Sequence, residues 1–308
     1  MLIALAGLAT SHPYTDARTL RAHGRLAVWE SDEERLARFR AEHPDVVVAR
    51  DLAALLDAGP AGVVLTVPTP DVAPALDAVL ARDLPCFVNK PAAATAAQLA
   101  VLEPVVARAP HRVLSSSVLR FAPAFTEFRV DPAEALAARV TVRHSVRPWA
   151  EGLNPWQDDP AAGGGTLVTM GIHGVELLVA LFGPDVTVVG AATATRRYAT
   201  LRSEDTALVA LRWPAGPVAS VEVIGAADDD EAYEVGVPTA AGVRGVTLRG
   251  GADPETALGY RGTIEAFLRM VAGEPSPVPW TQTRAVLSTL AAARALTSTL
   301  PRGYGRDR

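Results

Sequence analysis

Lysine is almost absent from this chain of 308 residues, which has 28 arginines but only one lysine, Lys90. An arginine can replace a surface lysine at little cost, but it cannot replace a lysine whose amine must titrate, because the guanidinium stays protonated. The single lysine is therefore either the last remnant of a drift towards arginine or a residue with a chemical role. Composition leaves both readings open, and the residues around Lys90 must decide between them.

Other scarcities narrow the class of protein. Cys86 is the only cysteine, so no intrachain disulfide can form, and a reducing compartment, by default the cytoplasm, is expected. The net charge is −5 and basic residues form no run, which argues against a nucleic-acid partner. No apolar stretch appears long enough to span a bilayer, so no membrane partner is expected. The sequence has no Cys/His cluster, so no metal site is predicted.

The first third of the chain alternates short apolar runs with helical patterns, which predicts an α/β fold with a doubly wound parallel sheet. Such a sheet binds ligands beyond the carboxyl ends of its strands. The predicted strands are Leu2–Ala6, Arg25–Trp29, Val46–Ala49, Gly62–Val67, Cys86–Val88 and Arg112–Ser116. The predicted helices are Tyr14–Ala22, Asp32–Glu42, Leu52–Ala58, Val72–Ala81 and Thr95–Ala107.

The pattern changes near residue 118, where strands with period-two alternation follow one another. They predict a second α+β domain with an open-faced, mostly antiparallel sheet. We therefore divide the chain into a dinucleotide-binding domain, residues 1–118, and a substrate-binding and oligomerisation domain, residues 119–308. The strand near Val140 has one polar face, which indicates an open sheet face. A helix over Leu167–Phe182 and two final helices, Thr263–Val271 and Thr281–Leu300, complete the prediction, with Arg302–Arg308 expected to fray.

The loop after the first predicted strand is the candidate phosphate-binding loop. It contains Gly7, Ala9, Thr10, Ser11 and His12. Rossmann loops need glycines so that a pyrophosphate can approach the backbone at a helix N-terminus. Only Gly7 satisfies the pattern, although the two hydroxyls are suited to phosphate. An ordinary strand-to-helix turn remains the alternative.

Two more residues are assigned to the cofactor from their positions after strands. Glu30, 23 residues beyond Gly7, can accept hydrogen bonds from ribose hydroxyls and repels a 2′-phosphate, so NAD is favoured over NADP. No arginine is evident in the segment Ser31–Glu34 that follows it. Pro68 lies in an extended loop that can run along the nicotinamide half of the cofactor, although a plain Pro-rich turn is an equal alternative.

Four segments, taken in order, resemble the glucose–fructose oxidoreductase / inositol dehydrogenase (Gfo/Idh/MocA) family across nearly the whole chain. They are Asn89-Lys90-Pro91, Val118–Pro123, Trp156 with Gly163–His173, and the tail formed by Gly259–Pro275 and Ala285–Ser298. The resemblance implies a Rossmann domain joined to an open-faced sheet domain. In family members the open face often pairs subunits, so the resemblance also implies a homo-oligomer. It also implies an oxidoreductase that uses NAD or NADP on a carbinol of a sugar, cyclitol or similar polyol.

The resemblance assigns Lys90 to the active-site lysine of the family and His173 to its acid–base histidine. We predict that His173 exchanges the proton and that Lys90 is its electrostatic partner, with Asn89 and Lys90 also beside the cofactor. Three features depart from the family pattern, and one is the phosphate loop, which has lost two glycines. Asn89 replaces a glutamate, and Thr169 replaces an aspartate one helical turn before His173. Glu176, three residues after His173, is a candidate support for it.

Substrate contacts are predicted for Arg120, Trp149, Trp156, Thr169 and His173, which lie in segments expected to face the cleft. His144, Arg147 and Asn154 are further candidates. Two alternatives to a simple dehydrogenase stay open. In the first, the enzyme uses transient redox chemistry for elimination or epimerisation. In the second, the chain is a non-catalytic binding or regulatory protein that kept the fold.

Overall fold

Two six-stranded sheets form the framework of the computed structural model, which describes residues 1–298. The strands of the first sheet are β1 (Leu2–Ala6), β2 (Arg25–Trp29), β3 (Val47–Val48), β4 (Gly62–Leu65), β5 (Cys86–Val88) and β6 (Val113–Leu114). The helices between them are α1 (His12–Leu20), α2 (Glu33–Glu42), α3 (Leu52–Asp57), α4 (Thr69–Leu80) and α5 (Ala96–Val106).

The first sheet has the strand order β3-β2-β1-β4-β5-β6, and all its strands are parallel. Apolar side chains fill β1, β4 and β5, which are buried because helices cover both faces. The chain order reverses between β1 and β4. In such sheets this switch point opens a crevice for ligands beyond the strand ends.

The second sheet has the order β12-β11-β7-β10-β9-β8 and is antiparallel except where β7 pairs with β10. Its strands are β7 (Ala137–Arg143), β8 (Thr187–Ala194), β9 (Thr206–Arg212), β10 (Val218–Ile224), β11 (Ala232–Thr239) and β12 (Gly242–Leu248). The predicted fold class, a Rossmann sheet followed by a mostly antiparallel α+β domain, is confirmed.

Eight α-helices follow β6 along the part of the chain that the structure describes. They are α6 (Pro123–Glu127), α7 (Arg147–Ala150), α8 (Pro155–Asp158), α9 (Gly165–Thr169), α10 (Gly171–Phe182), α11 (Pro254–Ala257), α12 (Tyr260–Val271) and α13 (Trp280–Ser298). Helices α10 and α13 pack on one face of the sheet. Gly174 permits the close approach of α10, since a Cβ there would lie 2.5 Å from a methyl of Val221 on β10.

Three sequence-based expectations need correction. Helix α4 begins at Thr69, so the loop containing Pro68 is shorter than predicted; Pro68 itself is extended, and Pro70 fits the first turn, where no N–H is needed. The helix predicted over Leu167–Phe182 is two helices, divided at Met170. The run Gly165–Phe182 is long and apolar enough to cross a membrane by length and composition, but 83% of it is buried inside the protein, as in a core helix.

The C-terminal part of the chain returns to the first sheet. Phe267 of α12 lies 6.4 Å, ring to ring, from Phe87 of β5, and Ile264 and Met270 share the same buried cluster as Ile3. The core beside the first sheet is therefore completed by a helix outside residues 1–118. The predicted end of the last helix at Leu300 and the tail Arg302–Arg308 lie outside the described residues.

Candidate active site

A cleft lies between the two sheets, beyond the carboxyl ends of β1, β4 and β5. Its walls include residues from both halves of the chain: Leu8, Thr10, Ser11, His12, Tyr14, Arg35, Arg38, Lys90, His144, Ser145, Pro148, Trp149, Leu153, Asn154, Gln157, Met170, His173, Tyr233 and Tyr260. The candidate phosphate loop, Lys90 and His173 therefore face one space.

Gly7 makes the tight turn that leads from β1 towards α1. Its φ is +87°, and a Cβ at this position would lie 2.4 Å from the carbonyl oxygen of Thr66, which follows β4. The Ala9 N–H donates to the same carbonyl at 3.0 Å. The turn is thus fixed against the neighbouring strand, and only glycine fits there without strain. Helix α1 begins at His12, with the Thr10 and Ser11 hydroxyls at the cleft.

Glu30 follows β2 and organises this loop. Its carboxylate accepts hydrogen bonds from the Leu8 N–H at 2.6 Å and from the Asp32 N–H at 2.9 Å. The Arg35 guanidinium forms an ion pair with it at 3.3 Å, and a second one with Asp32 at 3.6 Å. The expectation that no arginine lies near Glu30 is corrected, because one turn of α2 brings Arg35 back over the strand end.

Asn89, at the end of β5, faces inwards rather than into the cleft. Its side-chain amide donates to the Thr66 hydroxyl at 2.5 Å and lies 3.5 Å from the carboxyl of Asp16 on α1. Both side chains are buried. Burial raises the pKa of the Asp16 carboxyl to about 8, although the hydrogen bond with Asn89 opposes this change. Asn89 thus joins β4, β5 and α1 beneath the phosphate loop.

Lys90 is held by the break between α9 and α10. In an unbroken helix the carbonyl of Thr169 would accept from the N–H of His173, but that N–H bonds to Met170 instead, at 3.1 Å. The free Thr169 carbonyl accepts a hydrogen bond from the Lys90 ammonium at 2.9 Å. Lys90 is only 7% exposed, and this burial lowers its pKa to about 8, although the charge of Glu231 opposes the change.

His173 follows the same break and lies in the first turn of α10. Its Nδ1 is 2.6 Å from the hydroxyl of Ser117, and its ring packs edge-on against Tyr233 at 5.3 Å between centroids. Burial lowers the pKa of His173 well below the ordinary value, and the charge of Lys90 adds to this effect. The imidazole is therefore neutral around pH 7.

A carboxylate approaches the cleft from the second sheet. Glu231, just before β11, accepts a hydrogen bond from the Tyr233 hydroxyl at 2.7 Å and lies 3.3 Å from Nδ1 of His144. These contacts lower its pKa despite its partial burial. His12 approaches from α1, with its ring 5.2 Å from that of Tyr260, and burial lowers its pKa to about 3. His12, His144, Tyr233 and Tyr260 thus bring hydrogen-bonding side chains to the same cleft as Lys90.

The predicted substrate residues divide into two sets. His173 and Trp149 line the cleft, together with His144 and Asn154. Trp156 lies beside the phosphate loop, where its indole N–H donates to the Ala9 carbonyl at 3.3 Å. Arg147 instead pairs with Glu151 at an exposed position.

Two of the predicted substrate contacts are corrected. The Thr169 side chain is fully buried and its hydroxyl donates to the Gly165 carbonyl at 2.7 Å, so only its backbone serves the site. Arg120 pairs with Glu176 at 2.9 Å behind the cleft, and Glu176 also accepts from the Ser116 hydroxyl at 2.8 Å. Glu176 therefore supports Arg120 and not His173 as suggested.

Replacing Arg120 with methionine is expected to destabilise the protein by about 3 kcal/mol, because the Glu176 carboxylate would remain buried without its cation. Glu176 is 1% exposed and Arg120 16%. Urea unfolding measures the loss, and the double variant Arg120→Met/Glu176→Met should recover part of it. A ligand affinity that falls while stability is unchanged would instead return Arg120 to the binding site.

Several residues at the site were not predicted. They belong to no recognisable motif and reach the site through tertiary packing. These residues are Ser117, Glu231, Tyr233, Tyr260 and Asp16. The one available signal is that Ser117 follows a parallel strand, where site residues concentrate. Within residues 1–298, no group of three His, Cys, Asp or Glu side chains is placed to hold a metal ion.

Comparison with solved structures shows the same fold along nearly the whole chain. GenD2 from gentamicin A biosynthesis, solved in complex with NAD, is 22% identical, with a TM-score of 0.82 and coverage of 97% of this chain and 94% of that one. Myo-inositol 2-dehydrogenase from Lactobacillus plantarum is 15% identical, with a TM-score of 0.82 and coverage of 96% and 97%. An oxidoreductase from Agrobacterium radiobacter, in complex with NAD+, L-tartaric acid and magnesium, is 15% identical, with a TM-score of 0.77 and coverage of 97% and 96%.

Sequence comparison is more local. Residues 134–239 match the family model described as the GFO/IDH/MocA C-terminal domain, and they include β7 to β11. No curated protein matches the sequence. The resemblance predicted from the sequence is nevertheless confirmed: the chain shares the fold of these oxidoreductases along nearly its whole length, and residues 134–239 match the C-terminal domain model of the Gfo/Idh/MocA family.

Proposed function

We propose that this protein is an NAD-dependent oxidoreductase that interconverts a carbinol and a ketone on a sugar, cyclitol or similar polyol. The observation that carries the proposal is the convergence of Lys90 and His173 in one cleft with the glycine turn and helix N-terminus of a Rossmann domain. The structural similarity to GenD2 and to inositol dehydrogenases, which share this fold, supports it.

The first domain offers what a dinucleotide pyrophosphate requires. Helix α1 points its N-terminus at the cleft, and Gly7 lets the backbone turn sharply before it. Among the described residues, no acceptor is found for the backbone N–H groups of Thr10 and Ser11, which leaves both available to an anion. The residues present therefore fit a dinucleotide pyrophosphate. Ala9 is tolerated in this loop because its N–H turns towards Thr66.

The adenosine end favours NAD over NADP. Glu30 is buried at the end of β2, where a carboxylate accepts from ribose hydroxyls. The positive charge of Arg35 is shared between Glu30 and Asp32, so two carboxylates face one guanidinium. A 2′-phosphate would meet the carboxylates of Glu30 and Asp32, which disfavour its binding.

At the nicotinamide end of the cofactor, the reaction needs one group that exchanges a hydride with the substrate and another that exchanges a proton with it. When bound, NAD would supply the hydride acceptor or donor. The chain supplies Lys90, whose ammonium can hold and neutralise the substrate oxygen, and His173, whose ring nitrogen can hydrogen-bond it. Trp149 and Asn154 complete a wall that suits a ring bearing hydroxyl groups. Nearby Glu231 and His144 offer further hydrogen bonds.

A binding titration tests the proposal before any substrate is known. Purified protein should quench or enhance NADH fluorescence with saturation and bind NADPH more weakly, and denatured protein should be checked for released NAD(H). A screen of cyclitols and sugars with NAD+ should then give absorbance at the NADH band. If neither dinucleotide binds, the proposal is overturned and a non-catalytic role becomes the better explanation.

A further inference from the structure

We propose that Ser117 holds His173 as a neutral hydrogen-bond donor, and that Lys90 is the group that exchanges the proton with the substrate. This inference rests on the proposed oxidoreductase function. It exchanges the roles that the sequence resemblance assigns to the two residues.

The hydrogen bonds of Ser117 determine which nitrogen of His173 carries the proton. Ser117 is fully buried, and its Oγ accepts from the Leu119 N–H at 3.2 Å and lies 2.6 Å from Nδ1 of His173. If Nδ1 donated to Oγ, the serine proton would need another acceptor, and the described residues provide none. A buried unsatisfied hydroxyl costs about 1–3 kcal/mol. The serine O–H therefore donates to Nδ1, and Nε2 carries the imidazole proton.

This arrangement makes His173 a poor proton acceptor. Protonating the ring would place a hydrogen on Nδ1, so the Ser117 hydroxyl would have to accept instead of donate, and its own proton would be left without an acceptor among the described residues. In residues 1–298 no carboxylate is hydrogen-bonded to His173 to hold an imidazolium, because position 169 is a threonine and Glu176 is paired with Arg120. Burial and the charge of Lys90 act in the same direction by lowering the pKa of His173. A ligand in the cleft therefore meets Nε2 of His173 only as a hydrogen-bond donor.

Lys90 lines the same cleft as His173, and its protonation equilibrium suits proton exchange. Its charged and titratable surroundings are His173 from α10, His12 from α1 and Glu231 before β11, and its fixed partner is the Thr169 carbonyl. One of its three N–H donors is occupied, so two remain for the cleft. Burial brings the pKa of its ammonium to about 8, which permits both protonation states near neutral pH.

The proton step follows directly. In reduction, the Lys90 ammonium would give a proton to the carbonyl oxygen while the carbonyl carbon takes the hydride that bound NADH would supply, and the resulting amine would regain a proton from solvent. In oxidation, the Lys90 amine takes the hydroxyl proton as the carbon loses its hydride. Nε2–H of His173 donates a hydrogen bond to the same oxygen in both directions and keeps its own proton.

Nuclear magnetic resonance tests both assignments without turnover. Because the chain has one lysine, ¹³C-lysine labelling gives a single side-chain signal, which should titrate near pH 8. Histidine ¹⁵N spectra should show a pyridine-type Nδ1 and a pyrrole-type Nε2 for the signal that disappears in His173→Gln. Ser117→Ala should abolish this fixed tautomer without loss of the folded state. A lysine that titrates at its ordinary value, about 10.4, or a His173 protonated on Nδ1 at pH 7, would overturn the inference.

Kinetic measurements on His173→Gln provide a second test of the inference. His173→Gln keeps an N–H donor and should retain the pH dependence of kcat/KM, with a loss of about 10-fold or less. If His173 were the acid–base group, this variant would lose about 10²–10⁴-fold and its pH profile. Should no dinucleotide-dependent turnover exist, the proposed function fails, whereas the spectra still decide the protonation states of Lys90 and His173.

Discussion

Lys90→Met is expected to lower kcat/KM by about 10³-fold, the contribution typical of a general acid–base residue. The NADH affinity should change far less, because the adenosine and pyrophosphate end of the cleft lies at the loop after β1. The Thr169 carbonyl loses its donor, but a buried charge is removed at the same time, so the folding free energy should change little. Initial rates and NADH titrations measure the two effects separately.

Lys90→Arg is the matched control, since it keeps the positive charge but cannot titrate. If Lys90 only neutralises charge, the arginine variant should keep much of the activity. If Lys90 exchanges the proton, the arginine variant should lose nearly as much as methionine. In wild type, reduction should slow as pH rises through about 8, because the ammonium is lost, and oxidation should quicken. Neither inflection should remain in Lys90→Arg, and an inflection that persisted there would assign it to another group.

Gly7→Ala should destabilise the protein by about 2–4 kcal/mol and weaken NADH binding at least about 10-fold. The substitution combines a φ of +87° with a Cβ placed 2.4 Å from the Thr66 carbonyl oxygen, which is backbone and cannot rotate away. The loop and the start of α1 would have to move, and the anion site would move with them. Urea unfolding and NADH titration give the two numbers.

Gly59→Ala separates backbone strain from crowding. Gly59 also has a positive φ, +70°, but no atom lies within 4 Å of an added Cβ. The expected cost is about 1 kcal/mol from the backbone conformation alone, with NADH binding unchanged. Equal losses of stability in the two variants would show that the Thr66 carbonyl moves aside, and that the phosphate loop is less constrained than its contacts imply.

The sequence predicts the fold well because the fold follows from hydrophobic periodicity. Every predicted strand appears within a few residues of its place, since buried parallel strands read as apolar runs and half-buried strands read as alternation. The division at Met170 escapes prediction because both halves are equally apolar. Periodicity along Gly165–Phe182 describes burial, whereas the break depends on which hydrogen bonds Thr169 and His173 make.

The candidate site is less predictable, for a different physical reason. Lys90 and His173 follow from a resemblance to known motifs, but their partners come from packing. Ser117 and Glu231 lie 56 residues before and 58 residues after His173, and neither pattern nor propensity connects positions so far apart. The role of Thr169 is carried by its backbone carbonyl, which every residue has. Arg120 fails as a substrate contact because it pairs with the buried Glu176, and neither residue lines the cleft.

The return of α12 to the first sheet affects how the protein can be made. Ribosomes release the chain from its N-terminus, so all six strands of the Rossmann sheet emerge long before Ile264, Phe267 and Met270 exist to cover them. Until then Ile3 and Phe87 would lack part of their cover on that face of the sheet. The dinucleotide-binding half is therefore synthesised first but finished only when most of the other half has been made.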